Sequence, residues 1–433
     1  MFRKKQHFSV QLSALFIESM SFLWKDFFSV LFFTLKKNAV EIVHELGYFT
    51  LRTKNLLKKM KFLKVQKMSK KIIAGFGEVM LRLCPPGKMR FAQAFPGPLE
   101  ATFGGGEANV CASLAMLGLK SRYLTALPEN PVALSFAGEM RGFGVDTERI
   151  KYTATGRMGV YYAEHGAAQR GSNVVYDREG SVISLAGPED YDFKYMLENC
   201  SHLHISGITP ALSEKAYLST REIVRTASEM GITVSCDLNF RKKLWRWDVS
   251  CTPAELAARC MGEIVPYADI IIGNEEDAGD VFDIHSSGSS IEQGTLNTAG
   301  YVEVAQKLAN RFTKAKFVAI TLRESFSADH NNWGGMLYSC AEKKAFFAPL
   351  NAEGAYAPYE IKNIVDRFGG GDSFCAGLIC ALNSGEYSSP QDAIRFAAAA
   401  SCLKHSIKGD YNYSSFEEVV SLMNGSTSGR VKR

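Results

Sequence analysis

Asp366-Arg367-Phe368-Gly369-Gly370-Gly371-Asp372-Ser373 sets three successive glycines and a carboxylate where Ile364-Val365, the end of a short strand, gives way to a helix. The run from Phe374 to Leu382 is apolar on every face, as a buried helix is, and Asn383-Ser384-Gly385 supplies a stop signal. Glycines let the backbone turn tightly with its N–H groups uncovered, and a helix start adds unpaired donors and the positive end of a dipole. Together these make an anion pocket held mainly by main-chain donors, with Asp372 at its lip. Read alone, the same stretch is also a plain glycine-rich turn with Asp372 as its N-cap. The rest of the chain has to decide.

Upstream, short apolar runs alternate with helical stretches. The strand candidates are Ile72–Phe76, Ser121–Ala126, His202–Ser206, Thr233–Asp237, Asp269–Gly273 and Phe317–Thr321. Between them lie helix candidates Glu107–Gly118, Ser213–Gly231, Pro253–Val265, Glu275–Phe282 and Tyr301–Phe312. Continuous apolar strands separated by helices predict a mainly parallel sheet covered on both faces, with ligands at the carboxyl ends of the strands. Two stretches break this layering: Pro/Gly-rich Arg82–Phe103, and Arg157–Ser184, which alternates around Tyr161, Tyr162, Val174 and Tyr176. They predict a small β-sheet projecting over the strand ends as a lid, which would keep water from a phosphoryl donor.

Polar clusters fall where such a fold would use them. Gly104-Gly105-Gly106-Glu107-Ala108-Asn109 precedes a helix; its glycines admit a polar ligand close to the backbone, and Asn109 can donate and accept. Asp237-Leu238-Asn239-Phe240-Arg241 follows a strand end, and Arg241 either offers its planar fork to a carboxylate ligand or pairs internally with Asp237. Gly273-Asn274-Glu275-Glu276-Asp277 could organise Mg²⁺ and its waters, or simply place acids in a first helical turn. Ser401-Cys402-Leu403-Lys404-His405 either borders a nucleotide base or ends a helix with cations suited to its dipole.

Of the 433 residues, 1–67 carry thirteen Lys/Arg against four Asp/Glu, or +9. The remaining residues carry 37 against 41, or −4, so the overall +5 belongs to the tail and gives no nucleic-acid surface on the body. Residues 1–67 contain no proline or cysteine and one glycine, Gly47. Their apolar stretch 22–35 is interrupted by Lys25 and Asp26 and is shorter than the ~20 residues of a membrane span, so no stable membrane insertion is expected. A basic amphipathic helix on a membrane surface is one reading of it. The preferred one is a start at Met68, with 1–67 an extension of upstream sequence read in frame. The division expected is thus 1–67 as extension, 68–424 as one domain and 425–433 as a disordered tail. The ten cysteines are scattered without a CxxC pair, which fits reduced thiols in a cytoplasmic protein and no zinc site.

Taken in this order, the motifs resemble the ribokinase-like carbohydrate kinase family, in which an early GG-containing loop is followed late in the chain by D-x-x-G-A-G-D. Here these read Gly104-Gly105-Gly106 and Asp366-x-x-Gly369-Gly370-Gly371-Asp372, and the resemblance runs from about Ile72 to about Val420. Gly77-Glu78-x-Met80-Leu81-Arg82-Leu83, the loop Gly104–Val110, His204–Leu212 and Asp237–Trp245 are similar to the 2-keto-3-deoxygluconate kinase branch. The resemblance implies a three-layer α/β/α fold with a lid and ATP-dependent phosphorylation of a sugar acid at its C6 hydroxyl. It further implies Mg²⁺ with the triphosphate and a monovalent cation as an option; separately, the projecting lid sheet could pair across a homo-oligomer. Asp372 would be the general base, with Gly369, Gly370 and Gly371 stabilising the migrating phosphoryl group. Gly105, Gly106 and Asn109 would hold sugar hydroxyls, Tyr161 and Tyr176 would pack on the substrate, and Arg178 and Arg241 would bind its carboxylate or keto group. Nucleotide contacts would fall on Asn274, Arg323 and Lys404, and Asn274 and Asp277 would serve the metal through water.

Three positions depart from the family pattern. Gly370 stands where Ala is usual, Asp277 where the N-x-x-E motif has Glu, and Leu322-Arg323-Glu324-Ser325 where many relatives have a Gly-x-x-Gly turn. Two rival readings stay open, a kinase of the same fold for neutral fructose or ribose, and a non-catalytic sugar-binding module.

Overall fold

The computed structural model describes residues 72–274, 276–287 and 298–426, all within a compact unit spanning Met68–Arg433. The extension 1–67, its apolar stretch 22–35 and most of the expected tail lie outside the described residues. Among the described residues, no helix is long and apolar enough to cross a membrane.

In chain order the strands are β1 (Ile72–Phe76), β2 (Met80–Cys84), β3 (Glu100–Gly104), β4 (Ser121–Leu124), β5 (Ala126–Pro128), β6 (Lys151–Thr153), β7 (Gly159–Glu164), β8 (Asn173–Asp177), β9 (Cys200–Ser206), β10 (Thr233–Asp237), β11 (Ile270–Gly273), β12 (Phe317–Ser327), β13 (His330–Ser339), β14 (Lys344–Ala348) and β15 (Tyr359–Lys362). The central sheet runs β14-β13-β12-β11-β10-β9-β1-β4, with β15 also on β13. From β4 to β12 every pairing is parallel, and β12, β13, β14 and β15 close one edge as antiparallel hairpins. The helices that matter for the site are α1 (Gly106–Met116), α2 (Glu214–Glu229), α3 (Pro253–Ile264), α4 (Gly370–Ser384) and α5 (Pro390–Lys404).

The unbroken apolar strands are explained by burial on both faces. Ile271 of β11 joins Val224 of α2 and Met261 of α3 in one core, while its neighbours Ile270 and Ile272 join Leu114 of α1, Phe374 of α4 and Ala397 of α5 in another. Local signals fix where the covering helices begin: Ser213 caps α2, Thr252 and Glu255 form a capping box on α3, and Ser389 followed by Pro390 starts α5. Helices α4 and α5 approach closely because Gly377 faces Ala397 and Ala400; a Cβ on Gly377 would come within 2.9 Å of the Ala397 backbone. This contact fixes the axis of α4 and so the position of its glycine-rich start.

The two stretches outside the layering form a separate sheet in the order β3-β2-β7-β8. Met80, Cys84, Tyr161 and Ala163 make its inner apolar face and pack on Phe368 of the glycine loop, while Val175 is 52% exposed on the outside. The lid is thus in direct contact with the stretch that opens α4.

Three expectations are corrected in detail. The run 121–126 divides, because β4 ends at Leu124 and β5 leaves the sheet to pair with β6. Ile364-Val365 is not the end of a strand: β15 stops at Lys362, and Val365 instead donates its N–H to the His405 carbonyl at 2.8 Å. Strand β12 continues past Thr321 to Ser327, since its polar half extends beyond the core and lines a cleft.

Candidate active site

Gly369 is the N-cap of α4 with φ +75°, and a Cβ there would stand 1.9 Å from the Asp410 carbonyl oxygen. Only glycine fits such a turn. The loop is anchored by Asp366, whose Oδ1 accepts from the Phe368 N–H at 3.0 Å. Its Oδ2 accepts from the Gly409 N–H at 3.0 Å and from Arg82 at 2.8 Å. Gly369, Gly370 and Gly371 face the cleft at the start of α4, where the first-turn N–H groups have no intrahelical acceptor. The cleft lies at the carboxyl ends of β10 and β11 and beside the outer half of β12, on the side where a parallel sheet gathers its ligands.

Asp372 lies in the first turn of α4, across the cleft from the other glycine loop. Asn109 of α1 donates to its Oδ2 at 2.6 Å, and Gly106 is open beside it. Burial pushes the Asp372 carboxyl up to about 6; the Asn109 bond opposes this, Asp410 adds to it, and the charges of Arg241 and Lys404 pull it down. Behind it Glu107, pushed to about 7 by burial, accepts from Ser206 at 2.7 Å. A carboxyl titrating near 6 is poised to take a proton near neutral pH.

At the strand ends, Arg241 is exposed and its guanidinium bonds the Phe240 carbonyl at 3.0 Å. Among the described residues it makes no ion pair with Asp237, so the internal-pair alternative does not hold. Its charge bears on Asp237, Asp277 and Asp372. Burial raises Asp237 well above the usual carboxylate range, and nearby Asn239 leaves a buried Oδ1 with no protein donor. That orphaned acceptor on the cleft wall suits a ligand hydroxyl. Asp277 accepts from the Asn274 N–H at 2.8 Å and the Phe240 N–H at 3.0 Å, while Asn274 Oδ1 accepts from the Glu276 and Asp277 N–H groups. Both residues therefore shape the turn after β11. Since each Asp277 oxygen already has one donor, they fit a divalent cation through water better than directly, and the described residues hold no cluster of three metal-ligating side chains.

From the lid, Tyr161 donates its hydroxyl to Asp410 at 2.8 Å, and its ring lies 6.2 Å from those of Tyr176 and Phe368. The expected site residues all line this one cleft except Arg178 and Lys404. Arg178 is buried with its guanidinium doubly bonded to Glu78, which also accepts from Ser181 at 2.6 Å. In this arrangement it is committed to the lid base rather than presented to a ligand. Lys404 is fully buried under the glycine loop and not on a nucleotide surface, because the last turn of α5 points its side chain inward.

At the opposite end the cleft is lined by Thr321, Arg323, Asn331, Trp333, Arg367 and His405. Trp333 keeps a buried indole N–H without a protein acceptor, an opening for a phosphate or base oxygen. Arg367 pins the tip of the β12–β13 hairpin through the Ala328 carbonyl at 2.6 Å and Asn331 at 2.9 Å. No role was assigned from sequence to Asp410, or to Arg82 within the run Gly77–Leu83. Neither has a local pattern, since Arg82 reads as the polar position of an alternating strand and Asp410 as part of a terminal loop.

A family model described as pfkB family carbohydrate kinase matches residues 96–324. The 2-dehydro-3-deoxygalactonokinase of Haloferax volcanii is 29% identical over 354 residues, 82% of this chain and 97% of that protein. The 2-dehydro-3-deoxygluconokinase of Bacillus subtilis is 25% identical over 312 residues, 71% and 81% of the two chains. Among solved structures, that of 2-dehydro-3-deoxygluconokinase from Thermotoga maritima is similar with a TM-score of 0.73 and 40% identity, covering 82% of this chain and 98% of that one.

Proposed function

Because the chain belongs to the pfkB family of carbohydrate kinases, enzymes that use ATP to phosphorylate a sugar hydroxyl, we propose that its acceptor is the sugar acid 2-keto-3-deoxygluconate, phosphorylated at C6. The observation that carries this reading is Arg241. It is an exposed guanidinium at the strand ends, bound to a carbonyl and not to a carboxylate, on the wall that also holds Asp372 and Asn239. A neutral sugar offers such a group only uncharged hydroxyl acceptors; a carboxylate takes its planar fork with two charge-assisted bonds.

In this reading Asp372 takes the proton of the C6 hydroxyl as that oxygen forms its bond to the γ-phosphorus of ATP. The bond from phosphorus to the bridging oxygen breaks, and ADP leaves with the electron pair. The main-chain N–H groups of the Gly369–Gly371 turn, of which that of Gly370 also reaches the Arg367 carbonyl at 3.4 Å, would face the charge that spreads over the phosphoryl oxygens. Mg²⁺, when bound with the triphosphate, would supply neutralising charge, with Asp277 and Asn274 reaching it through water. Tyr161 and Tyr176 would cover the sugar from the lid and exclude water.

The galactonate epimer is a second reading, favoured by the name of the Haloferax relative that this chain nearly spans. A coupled ATP-consumption assay across both epimers, gluconate, fructose and ribose tests the assignment. The sugar-acid reading expects its highest kcat/KM on one of the two epimers; a higher value on fructose or ribose would replace it with a neutral-sugar kinase. Binding of a sugar without turnover of any would favour a non-catalytic module.

A further inference from the structure

The glycine loop looks from sequence like an anion pocket with only main-chain donors, but a positive charge lies directly beneath it. Lys404, the last residue of α5, has 0% of its surface exposed. Its Nζ donates to the Ile407 carbonyl at 3.0 Å, and its Cε lies 3.3 Å from where a Cβ of Gly369 would be. Asp366, Asp410 and Asp372 all bear on it electrostatically. Arg82 reaches in from the lid to pair with Asp366 at 2.8 Å and Asp410 at 2.5 Å, so two buried cations face two buried anions behind the loop.

Charges are rarely buried unless they are paired or have work to do. Arg82 is tied to both carboxylates by short bonds, whereas Lys404 has one carbonyl acceptor among the described residues and meets the carboxylates at longer range. A buried ammonium held by a backbone carbonyl beneath this turn, with carboxylates beyond it, carries the same single positive charge as a bound alkali cation. We propose that Lys404 is a built-in monovalent cation, a positioning residue whose tethered ammonium fills the space below Gly369 and makes a free potassium or sodium ion unnecessary for phosphoryl transfer. It holds the turn through the Ile407 carbonyl and adds fixed positive charge behind the migrating phosphoryl group, where preorganised charge is most effective. Burial lowers the proton affinity of the ammonium, the carboxylates of Asp366, Asp410 and Asp372 act against that loss, and Arg82 reinforces it.

The proposal rests on the kinase reading, and its test separates the two. Turnover of the wild-type chain is measured first in buffer whose only cations are Mg²⁺ and tetramethylammonium, then with added potassium, sodium or ammonium chloride at constant ionic strength. The expected result is turnover that does not depend on which monovalent cation is present. Strong, saturable activation of the wild type by potassium would overturn the proposal while leaving the kinase reading intact; absence of turnover in every buffer would defeat the kinase reading itself. Lys404→Ala is expected to lose about tenfold or more in kcat with a small change in sugar KM. It should also recover kcat saturably with potassium or ammonium, and the same ions should raise its Tm but not that of the wild type. A folded Lys404→Ala with full kcat, or with a loss that no cation moves in kcat or Tm, overturns it. If Lys404→Ala does not fold, Lys404→Met fills the volume without the charge, and the wild-type ion dependence remains decisive.

Discussion

The Asn109 amide donates to Asp372 Oδ2 at 2.6 Å, joining the first turns of two helices 263 residues apart. A donor to the ionised form favours that form, so Asn109 keeps Asp372 more acidic than burial alone would leave it. Removing the amide in Asn109→Ala should raise the proton affinity of Asp372. The acidic limb of kcat/KM, set by a carboxyl near about 6, should then move to higher pH. A profile over roughly pH 5 to 9 reads this directly, and an unmoved limb would separate Asp372 from the rate-controlling ionisation.

Asp372→Asn should lower turnover by ~10² or more, the scale of a lost general base, with sugar affinity nearly intact. The same variant should be more stable than the wild type at alkaline pH. The folded carboxyl titrates at about 6 against the ordinary 3.8, so the folded state holds the proton more tightly than the unfolded state. Stability is therefore lost as pH rises from the ordinary value through about 6, and the full cost is present above it. Thermal unfolding should show a higher Tm for Asp372→Asn at neutral to alkaline pH and convergence below the ordinary carboxyl range. Equal Tm values throughout would refute the buried-charge account.

Arg82 bridges Asp366 and Asp410 with all three groups nearly inaccessible to water. Arg82→Met leaves two buried carboxylates without their guanidinium and should cost ~3–5 kcal/mol in denaturant unfolding. Arg82→Lys should recover little of this, because a single ammonium cannot reproduce a fork that reaches two acceptors. A loss below ~1 kcal/mol would mean that water or Lys404 compensates both acids.

Arg241→Met should reduce kcat/KM for the sugar acid by ~10- to 100-fold, the worth of one charge-assisted contact, and leave a slow neutral substrate unchanged. Steady-state kinetics on both substrate types check the selectivity. An equal loss on both would assign Arg241 to the electrostatics of Asp372 instead, since its charge also bears on that carboxyl.

The layered sheet was legible because each core strand is buried on both faces, so Ile270, Ile271 and Ile272 all had to be apolar. The cleft was legible as glycine and carboxylate clusters at strand ends. Arg82, Asp410 and the inward turn of Lys404 were not, because their role comes from pairings over long sequence separations, 328 residues between Arg82 and Asp410, with no local pattern to mark them. Arg178 shows the converse limit. Its place beside Tyr176 on the lid is as expected, but which partner its guanidinium takes is decided by Glu78, a residue whose buried oxygens no periodicity reveals.

The three glycines of the loop should not respond alike to alanine. Gly369→Ala forces a left-handed residue with a Cβ 1.9 Å from the Asp410 carbonyl, which costs ~1–2 kcal/mol in backbone strain before the clash is counted. It should lower Tm and abolish turnover, since relieving the clash moves either the anion loop or the strand of contacts through Asp410 to Tyr161 and Arg82. Gly370→Ala meets the His405 ring at 3.2 Å, a contact that a small ring shift relieves, and alanine favours the first turn of α4. That variant should keep most of its activity. Gly371→Ala has no atom within 4 Å of its new Cβ and should fold normally, so any loss there reports on the ligand side of the loop, as a raised KM for ATP with Tm unchanged. Unfolding and kinetics on the three variants give this order directly, and an active Gly369→Ala would show that the turn is not held as tightly as its contact with Asp410 requires.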